Sequence, residues 1–393
     1  MNPPMSHSEV GDMNCEPPTP TGVFSARIPE LDGLRGVAIL LILVYHFVGG
    51  YFGALGVLPY RLVTAINQGW IGVDLFFVLS GFLIGGILVD SRASPQYFKV
   101  FYIRRFFRIM PLYWVLFALS LLALAGLLPG IPKAAPSDVP WYAFMTFTQN
   151  FWTAQGRPVM VPFMGPTWSL AVEEQFYLAI PVFIRGVREK YLPWLILGVV
   201  VLAPVLRLLL YYYLTADARG AAPYELTPCR ADALGLGVLA AILLRRPRVW
   251  NALVERGWLL SAVLGVLALG MPFFLHANIY KDSLLSTSFA YSWIALFFLC
   301  VLLIAVTQKQ AIISRLLRMP ALMATGGLAY CLYLFHTIFG IYAHELLSPH
   351  LPRTATVEAV IIAISVVLTF VFAKLSWKYF EKPLIDRGHR YSG

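Results

Sequence analysis

The chain has 393 residues, of which 59% are hydrophobic and 13% are charged, and its formal net charge is +10. Soluble domains carry about 25% charged residues, so this composition excludes a soluble protein and predicts an all-α integral membrane protein. In such a protein a positive balance indicates basic cytoplasmic loops and not a nucleic-acid partner.

Residues 1–30 contain prolines at positions 3, 4, 17, 18 and 20 among polar residues. This composition predicts a disordered tail. The segment is too long and too polar for the start of a cleaved signal peptide, so the first apolar run is predicted to be a retained span.

About ten apolar runs are long enough to cross a bilayer. With the N-terminus in the cytoplasm, 22 basic residues fall on inner segments and 8 on outer ones, which together are the 30 lysines and arginines of the chain. The positive-inside rule therefore places both termini in the cytoplasm and the loop near 130–165 outside. The runs lie near 34–53, 69–90, 110–129, 166–186, 191–214, 229–245, 257–276, 284–307, 322–346 and 356–378.

The first span carries Arg35 and, eleven residues later, His46. On a helix the two lie about 16 Å apart, roughly half the hydrocarbon thickness. An imidazole at that depth is costly and is a candidate functional group. A helix-end arginine and a histidine satisfied by a polar neighbour explain the run equally well.

Further polar residues are expected in the outer half of the spans, near His46. Asp74, at a similar depth on the second span, is predicted to pair with His46, which would fix the imidazole tautomer for a general base. The others are Glu173, Glu174, Arg230 and Asp232, with His336 near the middle of the ninth span.

Arginines gather at the inner end of the third span, at positions 104, 105 and 108. Guanidinium groups bind phosphate oxygens bidentately, so this cluster is a candidate phosphate site. Membrane topology alone also places arginines at such ends. The four cysteines (positions 15, 229, 300 and 331) show no metal-ligand or disulfide spacing, and no metal site is predicted.

Seven motifs follow one another along the chain, and with them the sequence resembles the acyltransferase-3 family of integral membrane acyltransferases, which includes bacterial O-antigen and macrolide O-acyltransferases. The resemblance runs from Ile28 to about Asp386, so residues 31–386 are expected to form the membrane acyltransferase domain and 387–393 a cytoplasmic tail. The motifs are Glu30-Leu-Asp-Gly-Leu-Arg-Gly, Gly72-Val-Asp-Leu-Phe-Phe-Val-Leu-Ser-Gly-Phe82, Arg104-Arg-Phe-Phe-Arg-Ile-Met-Pro111, Thr167-Trp-Ser-Leu-Ala-Val-Glu-Glu-Gln-Phe-Tyr177, Arg230-Ala-Asp-Ala-Leu-Gly235, Tyr333-Leu-Phe-His336 and Tyr379-Phe-Glu-Lys-Pro383.

The resemblance implies transfer of an acyl group, often acetyl, from cytoplasmic acyl-CoA to a hydroxyl of a sugar or lipid-linked acceptor at the plasma (inner) membrane of a bacterium. Acyl-CoA would be a co-substrate, and no bound cofactor is expected. His46 is the implied catalytic residue, as general base or as acyl-carrying nucleophile, and these two routes stay open. Members of the family often carry an esterase-like extracytoplasmic domain, which these 393 residues do not include.

The predicted site combines both lines of reasoning. The catalytic group is His46, Asp74 and Glu173; the donor group is Arg35, Arg104, Arg105 and Arg108; the acceptor contacts are Trp168, Glu174, Arg230, Asp232 and His336. A polytopic transporter or exporter with a central polar cavity is the alternative, since it explains buried charges equally well. It explains less well why basic groups lie inside and the acid and histidine groups outside.

Overall fold

The computed structural model describes residues 27–56, 58–128, 138–159, 162–214, 216–277, 284, 286–352 and 354–391. It is 85% helical, and the described residues form no strand. The predicted tail lies outside the described residues up to position 26. The protein is therefore an all-α membrane protein, as its composition predicts.

Twelve helices, numbered here in chain order, form the bundle described below. Other helices lie in the connections between them, at Tyr60–Ile66, Trp141–Met145, Gln149–Thr153, Ala216–Glu225, Pro247–Glu255 and Ile312–Leu317. The twelve are α1 Pro29–Leu43, α2 Gly72–Asp90, α3 Tyr97–Leu124, α4 Trp168–Gly186, α5 Leu192–Tyr213, α6 Thr227–Leu244, α7 Gly257–Ala277, α8 Tyr291–Thr307, α9 Pro320–Gly327, α10 Ala329–Leu347, α11 Ala355–Ser376 and α12 Lys382–His389.

Eight helical segments of the described chain are long and apolar enough to span a membrane, or nine if the bent pair α9–α10 counts as one span. The sequence predicts about ten. The predicted span that this count leaves out is the fourth, α4, which is helical and 19 residues long but carries Glu173, Glu174 and Arg185. Its charges, and not its length, set α4 apart from the apolar spans.

The bundle is centred on α2, whose most apolar stretch is 78% buried, whereas the corresponding stretches of α5 and α7 are 17% buried. The close approach of α6 explains this burial, because a methyl group at Gly81 would overlap the carbonyl oxygen of Leu234. Small residues at such crossings let helix backbones touch. The core therefore surrounds α2, and α5 and α7 present apolar side chains outward.

The start of α1 is held by ion pairs and by close contact with α9. Glu30, 1% exposed, accepts from Lys309 at 3.0 Å and from Arg318 at 3.1 Å. A methyl group at Gly326 would overlap the carbonyl oxygen of Asp32, so α9 lies directly against α1. These contacts fix the height and rotation of the helix that carries Arg35.

Beyond α1 the helix widens into π-helical turns over Val44–Phe52, which contain His46. Such π-helical turns are rare and are frequent at functional sites. Further along the chain, α9 and α10 meet at a bend of 75°. The widened segment places His46 against α10.

Candidate active site

A cavity of about 360 Å³ opens between α1, α2, α3, α4, α10 and α12. Arginine guanidinium groups and the carboxylates of Glu173 and Glu381 provide its charged lining, and apolar side chains provide most of the rest, together with serine and tyrosine hydroxyls and the imidazole of His389. The lining arginines are Arg35, Arg105 and Arg108. A pocket with several converging cations and an apolar wall fits a ligand that joins anionic groups to an apolar chain.

Arg35 reaches the cavity because Asp32, one helical turn earlier, holds its guanidinium. Arg35 Nη1 donates to Asp32 Oδ1 at 2.8 Å, and Arg27 Nε donates to Asp32 Oδ2 at 2.8 Å. The aspartate of the Glu30-Leu-Asp-Gly-Leu-Arg-Gly motif therefore positions the arginine of the same motif.

Three of the four predicted donor arginines line the cavity, and Arg104 does not. At about 100° per residue, positions 105 and 108 lie about 60° apart around α3, whereas position 104 is about 100° from 105. The cavity faces the sector that contains Arg105 and Arg108. The buried Nε of Arg105 has no hydrogen-bond partner among the described residues.

The structure separates the two adjacent glutamates of α4. Glu173 lines the cavity together with the arginines. Glu173 therefore lies on the same cavity wall as the predicted donor arginines. Glu174, about 100° further around the helix, does not line the cavity. Its buried Oε1 has no hydrogen-bond partner among the described residues.

Hydroxyl groups of serine and tyrosine side chains also line the cavity. Ser80 and Tyr177 hydrogen-bond to each other at 2.7 Å. Tyr333 donates to the Pro166 carbonyl at 2.8 Å and lies 2.5 Å from Ser169 Oγ. Tyr177 ends one motif and Tyr333 begins another, but only the rotation of their helices turns them into the cavity.

His46 packs against a second histidine. The ring centroids of His46 and His336 are 4.7 Å apart, and those of His336 and Tyr333 are 6.1 Å apart. His336 is fully buried, whereas His46 is half-buried. The three rings form a row that ends at the cavity wall, since Tyr333 belongs to that wall.

Both imidazoles are held in the same tautomer. His46 Nδ1 lies 3.1 Å from the Ile42 carbonyl, and His336 Nδ1 lies 3.1 and 2.8 Å from the carbonyls of Leu332 and Tyr333. A carbonyl only accepts, so each Nδ1 carries a proton and each Nε2 of the neutral ring carries a lone pair. His336 Nε2 has no hydrogen-bond partner within the described chain.

Asp74 does not pair with His46, so that prediction is wrong. Its carboxylate is fully buried and accepts from Arg230 Nη2, which is also fully buried. A guanidinium satisfies a buried carboxylate better than a neutral imidazole, because it supplies both charge and protons. The equal depth of His46 and Asp74 did not specify which way each side chain faces.

Aromatic rings enclose the Arg230 guanidinium. Its centre lies 4.5 Å from the Tyr291 ring, 5.4 Å from Tyr224 and 5.5 Å from Phe77. Trp168, predicted to contact the acceptor, packs on Tyr224 with centroids 4.5 Å apart. Trp168 therefore belongs to the wall around Arg230.

Asp232, predicted to contact the acceptor, is also paired within the protein. Its Oδ2 accepts from Arg207 Nη2 at 2.9 Å and from Ser292 Oγ at 2.6 Å, and its Oδ1 accepts from the Ala233 amide at 2.9 Å. Arg207 is fully buried, although the sequence placed it with the outer charges. A single arginine within the apolar α5 was the signal for a buried partner.

Among the described residues, no group of three or more His, Cys, Asp or Glu side chains could hold a metal ion. The site thus brings together a three-arginine cavity and, beyond Tyr333, two imidazoles with free Nε2 lone pairs. The cavity can bind an anionic ligand, and the imidazoles about one side chain beyond its wall can accept a proton.

A family model described as an acyltransferase domain matches residues 28–375. The peptidoglycan O-acetyltransferase OatA of Listeria monocytogenes is 28% identical over 92% of this chain and 56% of its own length. The O-acetyltransferase OatA of Staphylococcus aureus strain NCTC 8325 is 24% identical over 94% of this chain and 59% of its own. A putative O-acetyltransferase of Staphylococcus aureus strain COL is 27% identical over 92% of this chain and 58% of its own.

The chain thus spans somewhat more than half the length of these relatives. No solved structure matches the chain.

Proposed function

Because the chain belongs to the acyltransferase domain family, we propose that it moves an acyl group, acetyl in the first instance, from cytoplasmic acyl-CoA to a hydroxyl of a carbohydrate or lipid-linked acceptor. Its place would be the inner membrane of a bacterium, as for a multi-pass protein with bacterial relatives. The observation that carries the proposal is the cavity in which three arginines from two helices converge.

The donor would bind with its phosphates on Arg35, Arg105 and Arg108. Each guanidinium offers two parallel donors to phosphate oxygens. The wall also carries many aromatic and aliphatic side chains and several hydroxyl groups, among them those of Ser169 and Tyr333, which suits an uncharged pantetheine arm that contains amide groups. The thioester would thereby reach the end of the cavity nearest the histidines.

His46 would act as the general base that takes the proton from the acceptor hydroxyl. Its Nδ1 is held by the Ile42 carbonyl at 3.1 Å, which leaves Nε2 as the basic atom. The acceptor oxygen would then attack the thioester carbon, the new O–C bond would form, and the C–S bond would break. An acyl group carried on His46 is a second route through the same atom.

The first acceptors to test are peptidoglycan and its lipid-linked precursors, because the Listeria relative is named a peptidoglycan O-acetyltransferase. Glu174 and the membrane lipids around α4 are candidates for contact with the acceptor. Arg230 and Asp232 would contribute through the packing around them, since both are paired inside the protein.

The test uses inverted membrane vesicles that contain the full chain and receive acetyl-CoA labelled on the acetyl group. Release of CoA and appearance of label on the added acceptor, both dependent on the chain, support the proposal. Label that enters the vesicle lumen still attached to CoA or as free acetate, without acceptor modification, indicates the transporter alternative. Absence of both results overturns the acyl-CoA donor.

A further inference from the structure

The reaction leaves a proton to be placed. In the proposed function the acceptor hydroxyl loses a proton near His46, and the departing CoA sulfur gains one. The oxygen and the sulfur are bonded to the same acyl carbon during the transfer, so they lie close together. The rings of His46 and His336 are neighbours, with centroids 4.7 Å apart, and His336 is 6.1 Å from Tyr333 of the cavity wall. One imidazole can therefore face the acceptor oxygen while the other faces the sulfur.

His336 has the properties that a proton carrier needs. It is fully buried, and its Nε2 has no hydrogen-bond partner among the described residues. A buried polar atom without a partner is unfavourable, so its position calls for a functional explanation. Its Nδ1 is held by two backbone carbonyls, which leaves Nε2 as its only site for an incoming proton.

We infer that His336 relays the proton from His46 to the thiol of the departing CoA. This inference rests on the proposed function. Each Nε2 accepts a proton and then releases it, so neither imidazole changes the hydrogen bond at its Nδ1.

The steps balance. The acceptor O–H bond breaks and its proton moves to His46 Nε2 while the acceptor oxygen bonds to the acyl carbon. The C–S bond breaks, and its electron pair leaves on sulfur as a thiolate. The proton passes from His46 Nε2 to His336 Nε2, through one water or a small ring rotation, and then to the thiolate, which leaves as free CoA.

The pair should hold one proton at a time. Two imidazolium rings at 4.7 Å would repel each other strongly where the dielectric is low. One shared proton suits a relay between a single hydroxyl and a single thiolate.

The position of His336 relative to the cavity also suits this role. His336 lies one helical turn beyond Tyr333 of the cavity wall, about 4.5 Å along α10, and the centroids of the two rings are 6.1 Å apart. His336 is therefore the imidazole nearer to the cavity wall, and His46 the one farther from it.

The test compares His336→Gln and His336→Ala with His350→Gln, a histidine at the exposed end of the same region. Glutamine keeps a polar group of similar size but cannot carry a proton between two atoms. We expect CoA binding within twofold of wild type in both His336 variants, and acetyl transfer reduced about 10²- to 10⁴-fold. The His350 variant should retain its activity.

A structural role and a relay role are separated by rescue. Added imidazole should restore transfer at least tenfold in His336→Ala, because a free imidazole can carry the proton through the space that the substitution leaves. A merely structural loss would lower the thermal unfolding midpoint and would not respond to imidazole. Transfer above a tenth of wild type in a folded His336→Gln variant overturns the relay.

A measurement on the wild-type protein keeps the test decisive if the variants do not fold. When the rate is measured in mixtures of light and heavy water, a relay through two imidazoles predicts a curved dependence on deuterium content, because more than one proton moves. A linear dependence overturns the relay. Failure of the proposed function looks different, since wild-type vesicles would then transfer no acetyl group at all.

Discussion

Asp74 on α2 and Arg230 on α6 form an ion pair in which both side chains are fully buried. The guanidinium also stacks near Tyr291, at 4.5 Å from its ring. The pair joins the two helices at the centre of the bundle, next to the close contact at Gly81.

Removing one partner should destabilise the protein more than removing both. Asp74→Ala or Arg230→Ala leaves a buried charge unpaired, which costs about 3–5 kcal/mol. In the double variant Asp74→Leu, Arg230→Met the loss should be clearly smaller. The thermal unfolding midpoint in detergent, followed by size-exclusion chromatography, measures this. Single variants as stable as wild type would contradict this expectation. A double variant that is stable but does not transfer acyl groups would mean that the pair takes part in the reaction.

His46→Ala should remain inserted and folded but lose about 10²- to 10⁴-fold in acyl transfer, because the base is gone while its neighbours stay packed. Transfer in vesicles and the unfolding midpoint are measured together, with His350→Gln as the matched histidine control. More than about a tenth of wild-type transfer would make His46 a packing residue.

Arg105→Ala and Arg108→Ala should each weaken acyl-CoA binding. A charge-assisted bond to phosphate is worth roughly 1.5–3 kcal/mol, which is about ten- to a hundredfold in affinity. Arg→Lys should restore only part of this, since lysine lacks the planar fork. Calorimetric titration with CoA measures the effect.

Arg104→Ala is the control for those two variants, since Arg104 belongs to the same cluster but does not line the cavity. It should change CoA affinity by less than about threefold, as expected of an arginine that serves topology. An equal loss in all three variants would mean that the cluster acts through its summed charge and not through direct contacts.

Sidedness can be tested with single cysteines in a background in which the four native cysteines are replaced. Cysteine at exposed Asp138 should react with an impermeant maleimide in intact spheroplasts, and cysteine at exposed Gln96 only after lysis. The expectation follows from the distribution of 22 inner and 8 outer basic residues among the 30 of the chain. The reverse pattern would place the arginine cavity away from any cytoplasmic CoA.

The positions of the helices could be predicted from the sequence, because a run of about 20 apolar residues has few stable places other than a membrane. Each of the ten predicted runs overlaps a helical segment, although the run near 322–346 is divided between α9 and α10. The third predicted run begins near residue 110, whereas α3 begins at Tyr97, so the arginine cluster at positions 104–108 lies about two turns inside the helix.

The partners of the charged side chains could not be predicted in this way. One residue turns a side chain by about 100° around a helix, so depth alone cannot say whether Asp74 faces His46 or Arg230. The same rotation separates Glu173 from Glu174 and Arg105 from Arg104. For the same reason the ion pair of Arg207 with a carboxylate on another helix could not be predicted.

The sequence by itself determined the fold class, the places of the spans and the set of polar residues that the membrane must accommodate, because these depend only on local composition and length. The tertiary structure decided which of those residues meet. The contact between His46 and His336 and the convergence of Arg35 with Arg105 arise from the rotation and crossing of helices far apart in the chain. That rotation is set by backbone contacts between helices, such as the contact of Gly81 in α2 with Leu234 in α6, and no single segment encodes such a contact.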